Sequence, residues 1–247
     1  MCQSCASLSR RGFCGGVALL PALPGPRRRN GLLEPALRVT STPGAARTVA
    51  VTLDCCPGRF DWRIANVLEA RNIPATIFVT EIWMGWNPGP LAFLKSRPDI
   101  FTLENHGAKH LPPVLGSAPI YGLPVAGTLE AIRAEVLDGA AAITRATGRQ
   151  PVWYRGAAGL YSPEAIPAIE ALGVRVAGYS LNSDEGASLP AASVAKRIEA
   201  ARDGEVIEGH INQPHRESGA GIAAGLAALH DAGVRFTGLS QTAPATA

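Results

Sequence analysis

From residue 48 onward the apolar positions switch repeatedly between two periods. Residues 48–53 form a short β-branched run that suits a strand, and residues 61–71 space their apolar side chains as a helix does. The switch recurs down the chain. Strands are predicted over 75–80, 100–104, 151–154, 175–181, 205–208 and 235–239, and helices over 90–96, 128–147, 163–172, 193–202 and 219–232. In the longest helix Leu129, Ile132, Val136, Ala140 and Ile143 fall on one apolar stripe. Seven strands alternating with helices predict an α/β fold with a parallel sheet, either closed into a barrel or open and doubly wound. In both forms the chemistry sits beyond the carboxyl ends of the strands.

Composition narrows this picture without changing it. At 247 residues, 47% hydrophobic and 17% charged, the chain suits one domain with a sizeable core. No apolar run approaches the roughly 18 residues of a transmembrane helix, so a soluble chain without stable membrane insertion is expected. The net charge of +3 conceals an uneven distribution. Residues 1–47 hold seven arginines against Glu34 alone, which leaves the remainder acidic and without a sign of a nucleic-acid-binding surface.

Arg10-Arg11 precedes a modest apolar, small-residue stretch over 14–23, the pattern of a twin-arginine export address. Residues 1–24 are therefore read as a signal segment and 25–47, rich in Pro, Arg and Gly, as a linker. Residues 48–240 are the expected folded body and 241–247 a tail, with export to the periplasm or beyond. Cys2, Cys5 and Cys14 lie in the leader and only the adjacent Cys55 and Cys56 in the body. Bridged Cα atoms sit about 5.5 Å apart, so neighbouring cysteines imply no disulfide framework.

Polar residues follow five of the predicted strands: Asp54, the pair His106 and His110, Arg155, Asp184 and His210. A set at five strand ends of one sheet converges on a single cleft. His106 and His110 are spaced i, i+4, which on a helical turn puts two imidazoles on one face, where they can hold one cation. A carboxylate at Asp54 suits a metal ligand, or a base that deprotonates an activated water, and equally a turn or cap. His210 suits a general acid, since its ordinary pKa lies near neutrality. Arg155 and Asp184 are expected to pair. His215 and His230 are read as ordinary loop and helix residues.

This set and order resemble the polysaccharide deacetylase (NodB-like) family. The family's first motif, Thr-Phe-Asp-Asp-Gly-Pro, stands here as Thr52-Leu53-Asp54-Cys55-Cys56-Pro57, and its second, His-Ser/Thr-x-x-His, as His106-Gly107-Ala108-Lys109-His110. The third, Arg-Pro-Pro-x-Gly, stands as Arg155-Gly156-Ala157-Ala158-Gly159; Asp184 matches the fourth, and Glu208-Gly209-His210 the fifth, Leu-x-His. The resemblance implies an irregular seven-stranded (β/α) barrel, a divalent metal, with zinc favoured, and an acetylated glycan as partner. It implies Asp54 as base, His210 as acid and Arg155, tethered by Asp184, as the holder of the base. Metal ligands would be His106, His110 and Cys55, the last in the place of the family's second aspartate. That exchange leaves three outcomes open: Cys55 or Cys56 ligates as thiolate, Asp54 moves onto the metal, or the site holds metal poorly.

The resemblance also implies an oxyanion contact from the backbone amide near Ala158. Trp153 and Tyr161, with Trp83 and Trp86, are candidate platforms for sugar rings, or else core. The leading expectation is a metal-dependent hydrolase that removes acetyl groups from a cell-wall or extracellular polysaccharide, or from a related amide. A catalytically silent glycan-binding domain is the alternative, and a redox or metal-sensing role for Cys55–Cys56 a third.

Overall fold

The computed structural model describes residues 26–40 and 46–239. The twin-arginine segment, the three leader cysteines and the expected tail lie outside the described residues. Two short strands, β1 (Arg27–Arg29) and β2 (Leu32–Glu34), precede the body as an antiparallel hairpin. The body then runs β3 (Thr48–Cys55), α1 (Trp62–Ala70), β4 (Ala75–Val79), α2 (Glu81–Trp86), α3 (Pro88–Ser96), β5 (Phe101–Asn105) and α4 (Leu129–Thr147). It continues through β6 (Trp153–Tyr154), α5 (Ala165–Glu170), β7 (Arg175–Val176), β8 (Leu181–Asn182), α6 (Ala191–Glu199), β9 (Val206–His210), α7 (Ser218–Asp231) and β10 (Arg235–Thr237). No helix among the described residues is long and apolar enough to cross a membrane.

Seven strands form one parallel path in the order β7-β6-β5-β4-β3-β9-β8, and β10 pairs with the first residues of β3. The sheet curls into a half-barrel. Its two ends, β7 and β8, are consecutive in sequence and are joined through residues 177–180 rather than by a ladder. The single strand expected over 175–181 is thus two short ones, each paired with a different neighbour. Gly178 explains the break: a side chain there would collide with the carbonyl of Pro35, so the chain leaves the ladder where the N-terminal segment crosses it.

Strand alternation sorts the core into two layers. Val49, Val51, Leu53 and Cys55 face the helices, packed with Ile64 and Leu68 of α1 and Leu226 of α7. The alternate residues of β3 point into the barrel, where Ala50 packs with Phe78, Trp153 and Val206. Helix ends are closed locally. Asp61 caps α1 by accepting from the Arg63 amide, Thr128 caps α4 by accepting from Ala131, and Gly148, at φ 72°, ends α4 in the left-handed conformation.

Residues 26–40, expected as linker, are docked on the body. Asn30 and Gly31, at φ 50° and 81°, form the tight turn of the hairpin, a dipeptide suited to two consecutive positive-φ positions. Leu33 exchanges backbone hydrogen bonds of 2.8 and 2.9 Å with Tyr161, and the Val39 amide donates to Gly204.

The ladder between β5 and β6 has one register pair, Asn105 with Tyr154, and Glu104 reinforces it. Its buried carboxylate accepts from the amides of Val152 and Trp153, each at 2.8 Å, and from Arg149 at 3.0 Å. Glu104→Ala orphans two amides and is expected to lower stability by about 3 kcal/mol. Urea unfolding checks this; an unchanged midpoint would contradict the role.

Candidate active site

Of the polar residues at the strand ends, Asp54, His106, His110, Arg155 and His210 line one cleft of about 740 Å³, and Asp184 reaches it through His210. β3 delivers Asp54 to the inner face, directly across from His210 of β9 in the strand register. Asp54 continues the inward set begun by Ala50 and Thr52. Cys55 belongs to the outward set and is sealed in the helix-side core. The next residue, Cys56, lies beyond the strand and lines the cleft. The thiol that faces the histidines is therefore that of Cys56, which corrects the assignment of Cys55 as ligand. The period of two along β3 carried this information, because Cys55 shares parity with Val49, Val51 and Leu53.

His106 follows β5. Its Nδ1 hydrogen-bonds the Arg155 carbonyl at 2.7 Å, which turns Nε2 towards Cys56 Sγ at 3.4 Å and Asp54 Oδ2 at 3.8 Å. His110 arrives by a loop rather than on a helical turn, with Gly107 at φ 92° and His110 itself at φ 63°. The shared helical face expected for the pair is replaced by this loop. Glu135 of α4 holds it by accepting from the amides of Lys109 and Leu111. The two imidazole centroids are 5.0 Å apart. His110 Nε2 is buried with no hydrogen-bond partner.

Arg155, at 1% exposure, extends from the end of β6 across the barrel interior. Its guanidinium donates to Asp54 Oδ1 at 2.9 Å, Thr52 Oγ1 at 2.9 Å and the Gly178 carbonyl at 3.0 Å, and lies over the Phe78 ring at 4.3 Å. The expected pairing of Arg155 with Asp184 is not formed. Asp184 instead accepts from His210 twice: its Oδ1 is 3.0 Å from Nδ1, and its Oδ2 2.8 Å from the backbone amide. Asp54 lies near the end of β3 and Asp184 follows β8, with β9 between them, an order that sequence spacing does not contain.

Electrostatics follow from these contacts. Burial works against ionised Asp54, but Arg155 and then His106 and His210 hold it below the usual carboxylate range. Burial likewise opposes charge on Cys56, yet the charge of His106 and its hydrogen bond, with His110 and His210 close by, bring this thiol well below its ordinary value. His106 is pushed up to about 9, since Asp54 and Cys56 outweigh its burial. His210 is raised well above 6.5, with Asp184 overcoming its burial. Cys55 moves the opposite way from Cys56: burial pushes its thiol far up, helped by the neighbouring Cys56 and Asp54.

Ala158 lines the cleft at φ 63°, a backbone conformation unusual for a residue with a side chain. Trp153 and Tyr161 are buried, at 2% and 0% exposure. Trp153 packs inside the barrel and the Tyr161 hydroxyl accepts from the Gly156 amide at 2.6 Å, so neither offers a face to a sugar. Trp83 is core as well, while Trp86 is exposed on α2. Two residues without an expected role also line the cleft. Glu208 shares the inward face of β9 with His210; its Oε2 is buried without a partner, and burial pushes its carboxyl up to about 8. The hydroxyl of Tyr179 donates to Glu34 of β2 at 2.7 Å.

Two groups of metal-ligating atoms, each within 4.8 Å of one another, emerge among the described residues: Cys56 with His106 and His110, and Asp54 with Glu208 and His210. The first offers two imidazole nitrogens and a thiol sulfur, donors suited to a divalent metal. In the second, Asp54 is engaged by Arg155 and His210 by Asp184, which suits proton transfer better than ligation.

The two thiols should be chemically distinct. In metal-free protein carrying Ser at positions 2, 5 and 14, one cysteine is expected to react rapidly with an alkylating reagent at pH 7, because the thiolate is the nucleophile. Cys56→Ser should abolish that fast reaction and Cys55→Ser should leave it. Equal reactivity of both would contradict the assignment.

No curated protein matches the chain. Solved structures of similar fold include a peptidoglycan deacetylase from Bacillus subtilis, with 20% identity, 79% of this chain and 89% of that one covered, and a TM-score of 0.63. A CE4 family pseudoenzyme from Bacillus anthracis shares 16% identity over 80% of this chain and 65% of its own, with a TM-score of 0.64. A family 4 acetyl xylan esterase from Clostridium thermocellum, in complex with a cobalt ion, shares 22% identity over 79% and 89%, with a TM-score of 0.63. At these identities the likeness concerns the fold. The sequence profile described as polysaccharide deacetylase matches residues 41–177, more than half of the chain, and with the motif residues gathered in one cleft the protein belongs to the polysaccharide deacetylase family.

Proposed function

We propose that this protein is a metal-dependent hydrolase that removes acetyl groups from an acetylated glycan. One observation carries the reading: a His–His–Cys donor set, an arginine-held carboxylate and an aspartate-held histidine share one cleft. His106, His110 and Cys56 would hold the metal, and their nitrogen and sulfur donors favour zinc. The unpartnered, buried His110 Nε2 supports the fit. A divalent cation there supplies Lewis acidity to the acyl carbonyl and to the attacking water.

The chain's own residues supply the rest. Asp54, kept ionised by Arg155, accepts the proton of the attacking water. The Ala158 backbone amide donates to the oxygen that becomes negative as the carbonyl carbon turns tetrahedral. His210, kept protonated by Asp184, donates to the departing nitrogen as the carbon–nitrogen bond breaks, leaving acetate and a free amine. Export through the Arg10-Arg11 segment, to a cell-wall or extracellular glycan, belongs to the same proposal.

A silent glycan-binding domain is the second reading. It is favoured by the loss of the second aspartate of the first motif and by the fold likeness to a pseudoenzyme. Acetate release and metal content separate the two. With zinc and an N-acetylglucosamine oligomer, the wild type is expected to release acetate. His106→Ala and Cys56→Ala should lose both metal and turnover, and Cys55→Ala should keep its metal. Asp54→Asn should keep metal while losing about 100-fold or more in kcat. Stoichiometric metal without acetate release from any acetylated glycan would sink the hydrolase and leave the binding domain.

The pH profile tests His210 separately. Its raised pKa means that the proton needed for catalysis is held to a pH above 6.5, so the alkaline limb lies above that value. Asp184→Asn removes the main raising charge and is expected to move this limb to lower pH while lowering kcat. A limb that does not move would exclude His210 as the acid.

A further inference from the structure

The β1–β2 hairpin precedes the part of the chain that matches the family, and it forms one rim of the cleft. It is held there firmly. Leu33 pairs with Tyr161, Glu34 accepts from Tyr179, and the Pro35 carbonyl accepts from the Tyr179 amide. Arg27 and Arg29, alternate residues of β1, share one face of the hairpin, and both line the cleft. Both are exposed. Arg29 lies over the ring of Tyr121 on the opposite loop, at 5.6 Å, which steadies the guanidinium and leaves its N–H edge free to donate.

Among the described residues, no carboxylate lies within ion-pair distance of either guanidinium. The acidic residues that line the same cleft are already engaged. Asp54 is bound by Arg155, Glu185 by Arg197 at 2.6 Å, and Glu34, the cross-strand neighbour of Arg27, by the Tyr179 hydroxyl. Glu208 is buried in the floor, and its raised pKa keeps it largely uncharged near neutrality. The rim thus carries two arginines against one carboxylate, Glu34, whose Oε1 is directed to Tyr179, and so is net positive above a floor whose ionised carboxylate is paired.

We propose that Arg27 and Arg29 form an anion subsite, and that the preferred ligand is an acetylated saccharide bearing a carboxylate or phosphate on the unit next to the acetylated one. The position of the subsite rests on the floor of the cleft being the deacetylation site, whereas the charge preference is a property of binding. A planar guanidinium matches either anion in bidentate fashion. Steering by exposed charges also makes the preference salt-dependent.

The test uses the full chain and three acetylated disaccharides of equal size: a neutral one, one with a uronate unit and one with a phosphate ester. Affinity is measured by calorimetry and turnover by acetate release. At low salt at least one anionic ligand should bind roughly ten-fold more tightly than the neutral one, and the advantage should shrink as salt rises. The larger advantage identifies the natural anion. Arg27→Gln with Arg29→Gln should abolish the advantage and leave neutral binding unchanged, and the Lys pair should restore part of it. Equal affinity for all three ligands, or a preference that survives the Gln pair, overturns the subsite. Charge-selective binding without acetate release would sink the deacetylase reading alone, and acetate release without charge selectivity would sink the subsite alone.

Discussion

The arrangement depends on one buried cation. Removing a guanidinium from water costs several kcal/mol, so Arg155 is stable in the barrel interior only because every side of it is met. Asp54 supplies the counter-charge, Thr52 and the Gly178 carbonyl accept the remaining hydrogens, and the Phe78 ring covers one face. Those partners lie on β3, β4 and the break between β7 and β8. The same residue thus ties distant parts of the sheet together and aims the Asp54 carboxylate. Its backbone contributes as well, since the Arg155 carbonyl accepts from His106 Nδ1 and fixes the orientation of that ring. The candidate base and one candidate ligand are oriented by a single side chain and its own peptide group.

Around that point charges alternate in sign. Asp54 and the Cys56 thiolate are held negative, and His106 and His210 positive, each supporting the next. The aspartate position of the first motif, Cys55, carries no charge towards the histidines; the thiol of the following Cys56 supplies it instead. What changes is the softness of the donor and its place, one residue beyond the position at which the family carries its aspartate. The cysteine can serve only because β3 ends at Cys55, which frees the following residue to turn inwards.

Much of this was legible along the chain. Alternating periods located the strands of the curled path except that β7 and β8 were merged into one, and polar residues at five strand ends marked the cleft. Two further features also have local signals. The parity of Val49, Val51 and Leu53 assigns Cys55 to the core, and Asn30-Gly31 between Arg29 and Leu32 announces a hairpin within an apparent linker. Other features depend on contacts far apart in sequence, and no local pattern contains them. The split of residues 175–181 follows from the Pro35 carbonyl, and the partners of Arg155 and Asp184 from strand order. Trp153 and Tyr161 were ambiguous for a related reason: an aromatic near a strand end reads alike whether it faces ligand or core.

The most direct measurement is X-ray absorption at the zinc edge of the reconstituted protein. A thiolate site built by Cys56, His106 and His110 predicts one sulfur scatterer at about 2.3 Å together with imidazole nitrogens at about 2.0 Å. A first coordination sphere of nitrogen and oxygen alone would contradict the account and return the third ligand position to Asp54.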